Sequence, residues 1–158
     1  MGKLVVVKND KVAGTDKHNV AGNMTTSSGP VPTTGFGMFD YDGKMDKQLS
    51  DFVKIDNKPV ALKNSQSSLN PGESSPGGKH GGPNGKGLTP TTLIPASLSI
   101  TDPVGTGNPS ASAGSIFVKI ASTAVLLDGD KIDTCDGFSV PMNSTVTAGE
   151  QSFVSCSQ

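Results

Sequence analysis

The chain has no tryptophan, no arginine and a single tyrosine, and among 158 residues it holds only two cysteines and two histidines. Each shortage excludes something. All 13 basic residues are lysine and the net charge is −1, so the planar bidentate forks that favour phosphate and base recognition are missing, and no nucleic-acid partner is expected. Hydrophobic residues make up 33% and aromatics 4%, which leaves a thin apolar core. Charged residues, at 17%, are equally sparse, so the high-charge half of the disorder signature is not met. No apolar run approaches the ~20 residues of a membrane-spanning helix. Leu4-Val5-Val6-Val7, flanked by Lys3 and Lys8, is too short for a secretory signal. The expectation is a soluble chain made in the cytoplasm without a Sec signal, which leaves the cell by another route if it leaves at all.

Helical patterning is also missing, since no window of eleven or more residues carries an apolar stripe at helical spacing. What is abundant is turn chemistry, with 20 Gly and 11 Pro breaking the chain into short extended pieces. The fold class expected is therefore all-β. The length, near that of one typical domain, predicts a single domain over 1–158.

The chain repeats itself. Phe52-Val53-Lys54-Ile55 recurs as Phe117-Val118-Lys119-Ile120, 65 positions on, and Val60 and Leu62 recur as Val125 and Leu127 at the same offset. Each copy is apolar, then turn-like, then apolar again, which predicts β-hairpins over 51–63 and 116–128, with good turn chemistry at Asp56-Asn57-Lys58-Pro59. A fainter copy is expected over 4–14, where Val7 to Val12 repeats the step from Ile55 to Val60. Between the hairpins lie stretches dense in turn formers, Thr25 to Gly35 and the long loop 64–92. Thr91 to Ile100 and Phe138 to Phe153 are rich in Thr, Ser and Val and read as further short strands.

His18, His80, Cys135 and Cys156 are all the soft ligands the chain has, and one or more follows each hairpin copy. A closed structural zinc site needs four such donors. One ion held by all four would staple the loops that a thin core leaves unsupported, adding binding free energy on the order of 10 kcal/mol to folding. No C-x-x-C or H-x-x-x-H pair forces that reading. A Cys135–Cys156 disulfide with both histidines incidental, and a metal-free chain with reduced thiols and solvated imidazoles, stand beside it; a cytoplasmic origin disfavours the disulfide.

The units 52–62 and 117–131, followed by Thr134-Cys135-Asp136-Gly137, resemble the hairpin repeats of PAAR and PAAR-like proteins, and the likeness covers most of the chain from Val5 to Gly137. The resemblance implies a small cone of β-hairpins in three pseudo-repeats, stapled at its apex by one structural zinc ion. It also implies a monomeric tip that caps a trimeric β-helical spike of a contractile injection machine, one tip per trimer, and helps it through a target envelope. On this reading the machine is a type VI secretion system, a contractile phage tail or an extracellular injection particle. The tip would be delivered outside the cell, with transient envelope contact and no stable anchoring in the membrane. The tetrad that names the family is absent, its places taken by Pro59-Val60-Ala61-Leu62 and Ala124-Val125-Leu126-Leu127, and two His with two Cys replace the usual three His and one Cys. Phe52, Ile55, Phe117 and Ile120 are the candidate spike-docking residues, and plain core packing accounts for the same four.

Two rivals come from other classes. An enzyme is disfavoured: Asp40-Tyr41-Asp42-Gly43 lacks the further ligands of a calcium loop and reads as a turn, Gly82 to Gly87 lacks the spacing of a phosphate loop, and no nucleophile elbow is present. The other rival is a free-standing structural or adhesive β-protein of a virion or cell surface without a spike partner.

Overall fold

The computed structural model describes residues 2–70, 86–89, 95–135 and 141–157. Every regular element among them is a strand, so the fold class is all-β as expected. His80 and most of the loop expected over 64–92 lie outside the described residues.

Two of the three expected hairpins form where the repeat places them. Strand β4 (Lys54–Ile55) pairs antiparallel with β5 (Lys58–Pro59), and β10 (Lys119–Ile120) with β11 (Thr123–Ala124). Both are closed by two residues at positive φ, Asp56 (47°) and Asn57 (64°) in one, Ala121 (47°) and Ser122 (67°) in the other. That is the backbone of a type I′ turn, whose twist matches that of the strands it joins.

The N-terminal copy differs from expectation. Residues 4–14 do not fold back on themselves; β1 (Lys3–Leu4) pairs instead with β14 (Ser155–Cys156), so the third hairpin is assembled from sequence-distant segments. Val5 then aligns with Val60 and Val125, and Phe153-Val154 with Phe52-Val53 and Phe117-Val118. The match of Val7 to Ile55 expected from the sequence is displaced by seven positions, Val7 standing at the place of Leu62 and Leu127, because a short run of valines matches any apolar partner.

Three backbone hydrogen bonds close a cycle through these units. Val6 N donates to Leu126 O (3.0 Å), Leu126 N to Ala61 O (3.0 Å) and Ala61 N to Val6 O (2.9 Å). A second cycle runs from Lys8 N to Pro59 O, Lys63 N to Ala124 O and Asp128 N to Leu4 O, at 2.8, 2.9 and 2.8 Å. The side chains follow the same rule. Asp10, Ser65 and Asp130 each accept from the backbone N–H three residues earlier, at Val7, Leu62 and Leu127. Ser50, Ser115 and Gln151 each accept from the N–H of the Val three residues later. This end of the molecule is thus pseudo-threefold. Val5, Val7, Ile55, Val60, Leu62, Val125 and Leu127 pack together within it, each fully buried aliphatic contributing roughly 1.5–3 kcal/mol.

Each unit runs directly into a strand: β2 (Lys11–Thr26), β6 (Gln66–Leu69) and β12 (Lys131–Thr134). The returning strands are β3 (Gly29–Lys47), β9 (Thr106–Pro109) and β13 (Ser144–Thr147). The six pair antiparallel in the cyclic order β2-β3-β6-β9-β12-β13 and back to β2, a closed ring without an open edge at that level. Its interior is apolar next to the hairpins, where Val6, Val12, Met45, Ala61, Leu126, Ile132 and Val146 pack.

Strands β2 and β3 continue past the ring in unbroken register to the turn between Thr26 and Gly29, flanked by β7 (Lys86–Thr89) and β8 (Pro95–Ile100). This corrects two sequence expectations. Thr25 to Gly35 is largely strand, and Asp40 to Gly43 is strand rather than turn, paired with Thr15 to Val12. The alternation of Gly37, Phe39, Tyr41, Gly43 and Met45 toward the interior sets that phase.

Candidate functional site

From Val12 onward β2 turns every second side chain inward, which points Asp16 and His18 to one side, both fully buried. Cys135 follows β12 directly, anchored by its N–H to Thr106 O at 2.7 Å. It holds φ at +58°, a conformation side chains other than glycine and asparagine seldom adopt, and one that strained functional sites often contain. Ligand atoms of Asp16, His18 and Cys135 all lie within 4.8 Å of one another. They sit at the mouth of the ring opposite the three hairpins.

A carboxylate is costly to bury without hydrogen-bond donors, and Asp16 has them. Thr134 Oγ1 and Asn143 Nδ2 donate to its Oδ1, and the Cys135 thiol donates to Oδ2 at 2.9 Å. Gly14, Gly107, Ser67 and Ser144 leave room for this polar layer; a side chain at position 14 would run into the backbone at Asn143. Tyr41 lies beneath, its hydroxyl 2.9 Å from Ser67 Oγ. Burial pushes its phenol well above the ordinary tyrosine range; the bond to Ser67 opposes this, and Cys135 and Asp16 add to it. The His18 ring meets Phe39 edge to face at 5.6 Å between centroids, and its Nδ1 lies 3.7 Å from Asp102 Oδ2.

These donors fit a divalent cation. A tetrahedral zinc ion at ~2.0–2.3 Å from N, O and S ligands sets donor separations of roughly 3.3–3.8 Å, inside the spread of this group. The group could hold a metal through one imidazole, one thiolate and one carboxylate.

Of the four ligands expected from the sequence, the structure brings His18 and Cys135 together and adds Asp16. Cys156 is not among them. It stands in β14 opposite Lys3 and packs against the valines and leucines of the threefold end, at the place Ile55 and Ile120 take in the other hairpins. No disulfide joins Cys135 to Cys156, which lie in different clusters. His80 falls outside the described residues. The group also does not mark an apex, because β2 and β3 continue eight residues beyond His18 to Thr26. Asp16 had a usable signal in the sequence, an Asp-x-His whose two members share one strand face, but only once 11–26 is read as a strand.

A second candidate feature is the surface of the threefold end. Phe52, Phe117 and Phe153 are 71%, 70% and 67% exposed, and the symmetry of their hydrogen bonds places them at equivalent positions around one axis. Ile116 beside Phe117 is exposed as well. Ile55 and Ile120, expected with the docking residues, belong to the packing instead: Ile55 is buried, and Ile120 is half-buried against the same apolar cluster. Phe153 was missed, although Phe-Val recurs at 52, 117 and 153 with a hydrogen-bonding side chain two residues ahead each time.

No protein-family profile matches this chain, and neither a curated protein nor a solved structure matches it.

Proposed function

We propose that the chain is a structural tip that caps a trimeric β-helical spike in a contractile injection machine, one copy per trimer, and that it is not an enzyme. The observation that carries this reading is the pseudo-threefold end with three equally exposed phenylalanines. A large exposed aromatic is unfavourable in water, and three of them related by a threefold axis match a partner that offers the same apolar pocket three times. A single chain gains such symmetry only by repeating itself internally, as this one does.

The Asp16, His18 and Cys135 group is the site proposed for one structural zinc ion. Cys135 would bind as thiolate after losing the proton it now gives Asp16, and the ion would tie β2 to the end of β12 where the ring interior turns polar. His80 is the fourth donor proposed on the sequence reading. The chain would be made in the cytoplasm and carried out on the particle, touching the target envelope in passing.

Replacement of Phe52, Phe117 and Phe153 by Ser tests the docking surface. All three are exposed, so the triple variant is expected to keep the thermal midpoint of the native chain and to lose binding to the trimeric spike by 100-fold or more, at roughly 2 kcal/mol or more for each central aromatic. Unchanged spike binding would leave the three side chains without the role proposed for them.

A further inference from the structure

We infer that Asp102 is a positioning residue for the metal group, holding the His18 ring so that Nε2 faces the ion and Nδ1 carries the proton. This rests on the metal reading of Asp16, His18 and Cys135.

Asp102 lies just past the end of β8, and its carboxylate is fixed from two sides. Asn19 donates its backbone N–H to Oδ2 (2.5 Å) and its side-chain amide to Oδ1 (2.9 Å). Thr101 binds Asn19 O in return, through its N–H at 3.0 Å and its hydroxyl at 3.2 Å. Thus the residue after His18 on β2 and the two residues after β8 form one rigid clasp. Oδ2 of that clasp lies 3.7 Å from His18 Nδ1, and the His18 side chain is fully buried. At that separation the two atoms face each other without a made hydrogen bond.

A metal ion changes the pair. Binding at one ring nitrogen draws electron density from the imidazole and makes the N–H at the other a better donor. A carboxylate is the usual acceptor of that proton, fixing tautomer and ring orientation and raising the basicity of the ligand. Asp102 is in place to do this, and Phe39, edge to face with the ring, limits its rotation. The carboxylate is held by main chain and amide, so it reaches His18 without ordering a flexible side chain first. A purely structural Asp102, present only to join β8 to β2 through Asn19, would affect folding and leave the affinity for the ion alone.

Two measurements on the full chain separate these cases. The first is 15N NMR of the imidazoles in zinc-loaded native protein, where two histidines make assignment simple. His18 is expected with Nδ1 protonated and Nε2 on the metal; metal on Nδ1 would overturn the inference. The second is zinc affinity by competition with a chromophoric chelator for native protein and Asp102→Asn. This substitution removes the charge and keeps an acceptor oxygen for one of the two Asn19 donors, turning an NH2 towards the other. Zinc affinity is expected to fall about 10- to 100-fold, beside a modest drop in the thermal midpoint of the metal-free chain from the weakened clasp. Unchanged affinity in the variant, with zinc bound normally by the native chain, would overturn the role of Asp102 alone. A native chain that binds no zinc would overturn the metal reading and this inference with it. Should Asp102→Asn not fold, the NMR arm on the native chain decides.

Discussion

Asp16 accepts from Thr134, Asn143 and Cys135, and of these only the thiol can give up its proton to make way for a cation. Cys135→Ser is therefore expected to lower bound zinc from about one ion per chain to a small fraction of that, and to lower the thermal midpoint with reductant present as well as absent. Elemental analysis and thermal unfolding check it; an effect confined to oxidised protein would point to a disulfide instead. Tyr41 gives a second residue-scale prediction. Its folded pKa is raised by burial, so above about pH 10 the unfolded state loses a proton that the folded state keeps. Stability from this group is present below pH 10 and falls as pH rises. As the chain has one tyrosine, tyrosinate absorbance near 295 nm is expected to appear only together with unfolding, and Tyr41→Phe to flatten the alkaline decline. Tyrosinate forming in protein that is still folded would contradict the burial of the phenol. His18 and Cys135 were legible in the sequence because such donors are scarce. Asp16 was not, since nothing sets it apart from the other members of a set of 14 acidic residues until the phase of its strand is known.

At the scale of elements, the hairpins β4-β5 and β10-β11 were readable from the 65-residue echo, while β2 and β3 were not. Their Thr, Gly and Pro content resembles loop sequence, and what makes them strands is mutual pairing over their whole length, a tertiary condition that local propensity does not carry. The two hairpin turns share a backbone but not a chemistry. Asp56-Asn57 suits positive φ, whereas Ala121-Ser122 adopts it against the preference of a Cβ-bearing residue. The double change Ala121→Asn and Ser122→Gly is expected to stabilise the protein by about 1 kcal/mol, read as a shift of the urea midpoint at constant slope. The same exchange at Asp56-Asn57 should give distinctly less. Equal gains at both turns would mean that the strain assigned to Ala121 and Ser122 is absent.

For the whole molecule, internal repetition gives one chain a pseudo-threefold end, while among the described residues it is β2 and β3, flanked by β7 and β8, that continue past the ring at the other. The sequence carried two of the three copies plainly. The third escaped because its halves lie some 150 residues apart, at 3–10 and 151–156, where no periodic search along the chain joins them. The cyclic hydrogen bonds of Val6, Ala61 and Leu126 make the equivalence visible, and with it the ring of Phe52, Phe117 and Phe153. A symmetric trimer meeting this end leaves no room for a second copy on the same axis, whereas a surface protein without a spike partner has no reason to obey that count. Native mass spectrometry of the chain mixed in excess with a trimeric β-helical spike from the same particle is the most direct test. The account predicts one copy of this chain on three spike chains, with no species carrying two or three; three copies per trimer, or no complex at all, would contradict it.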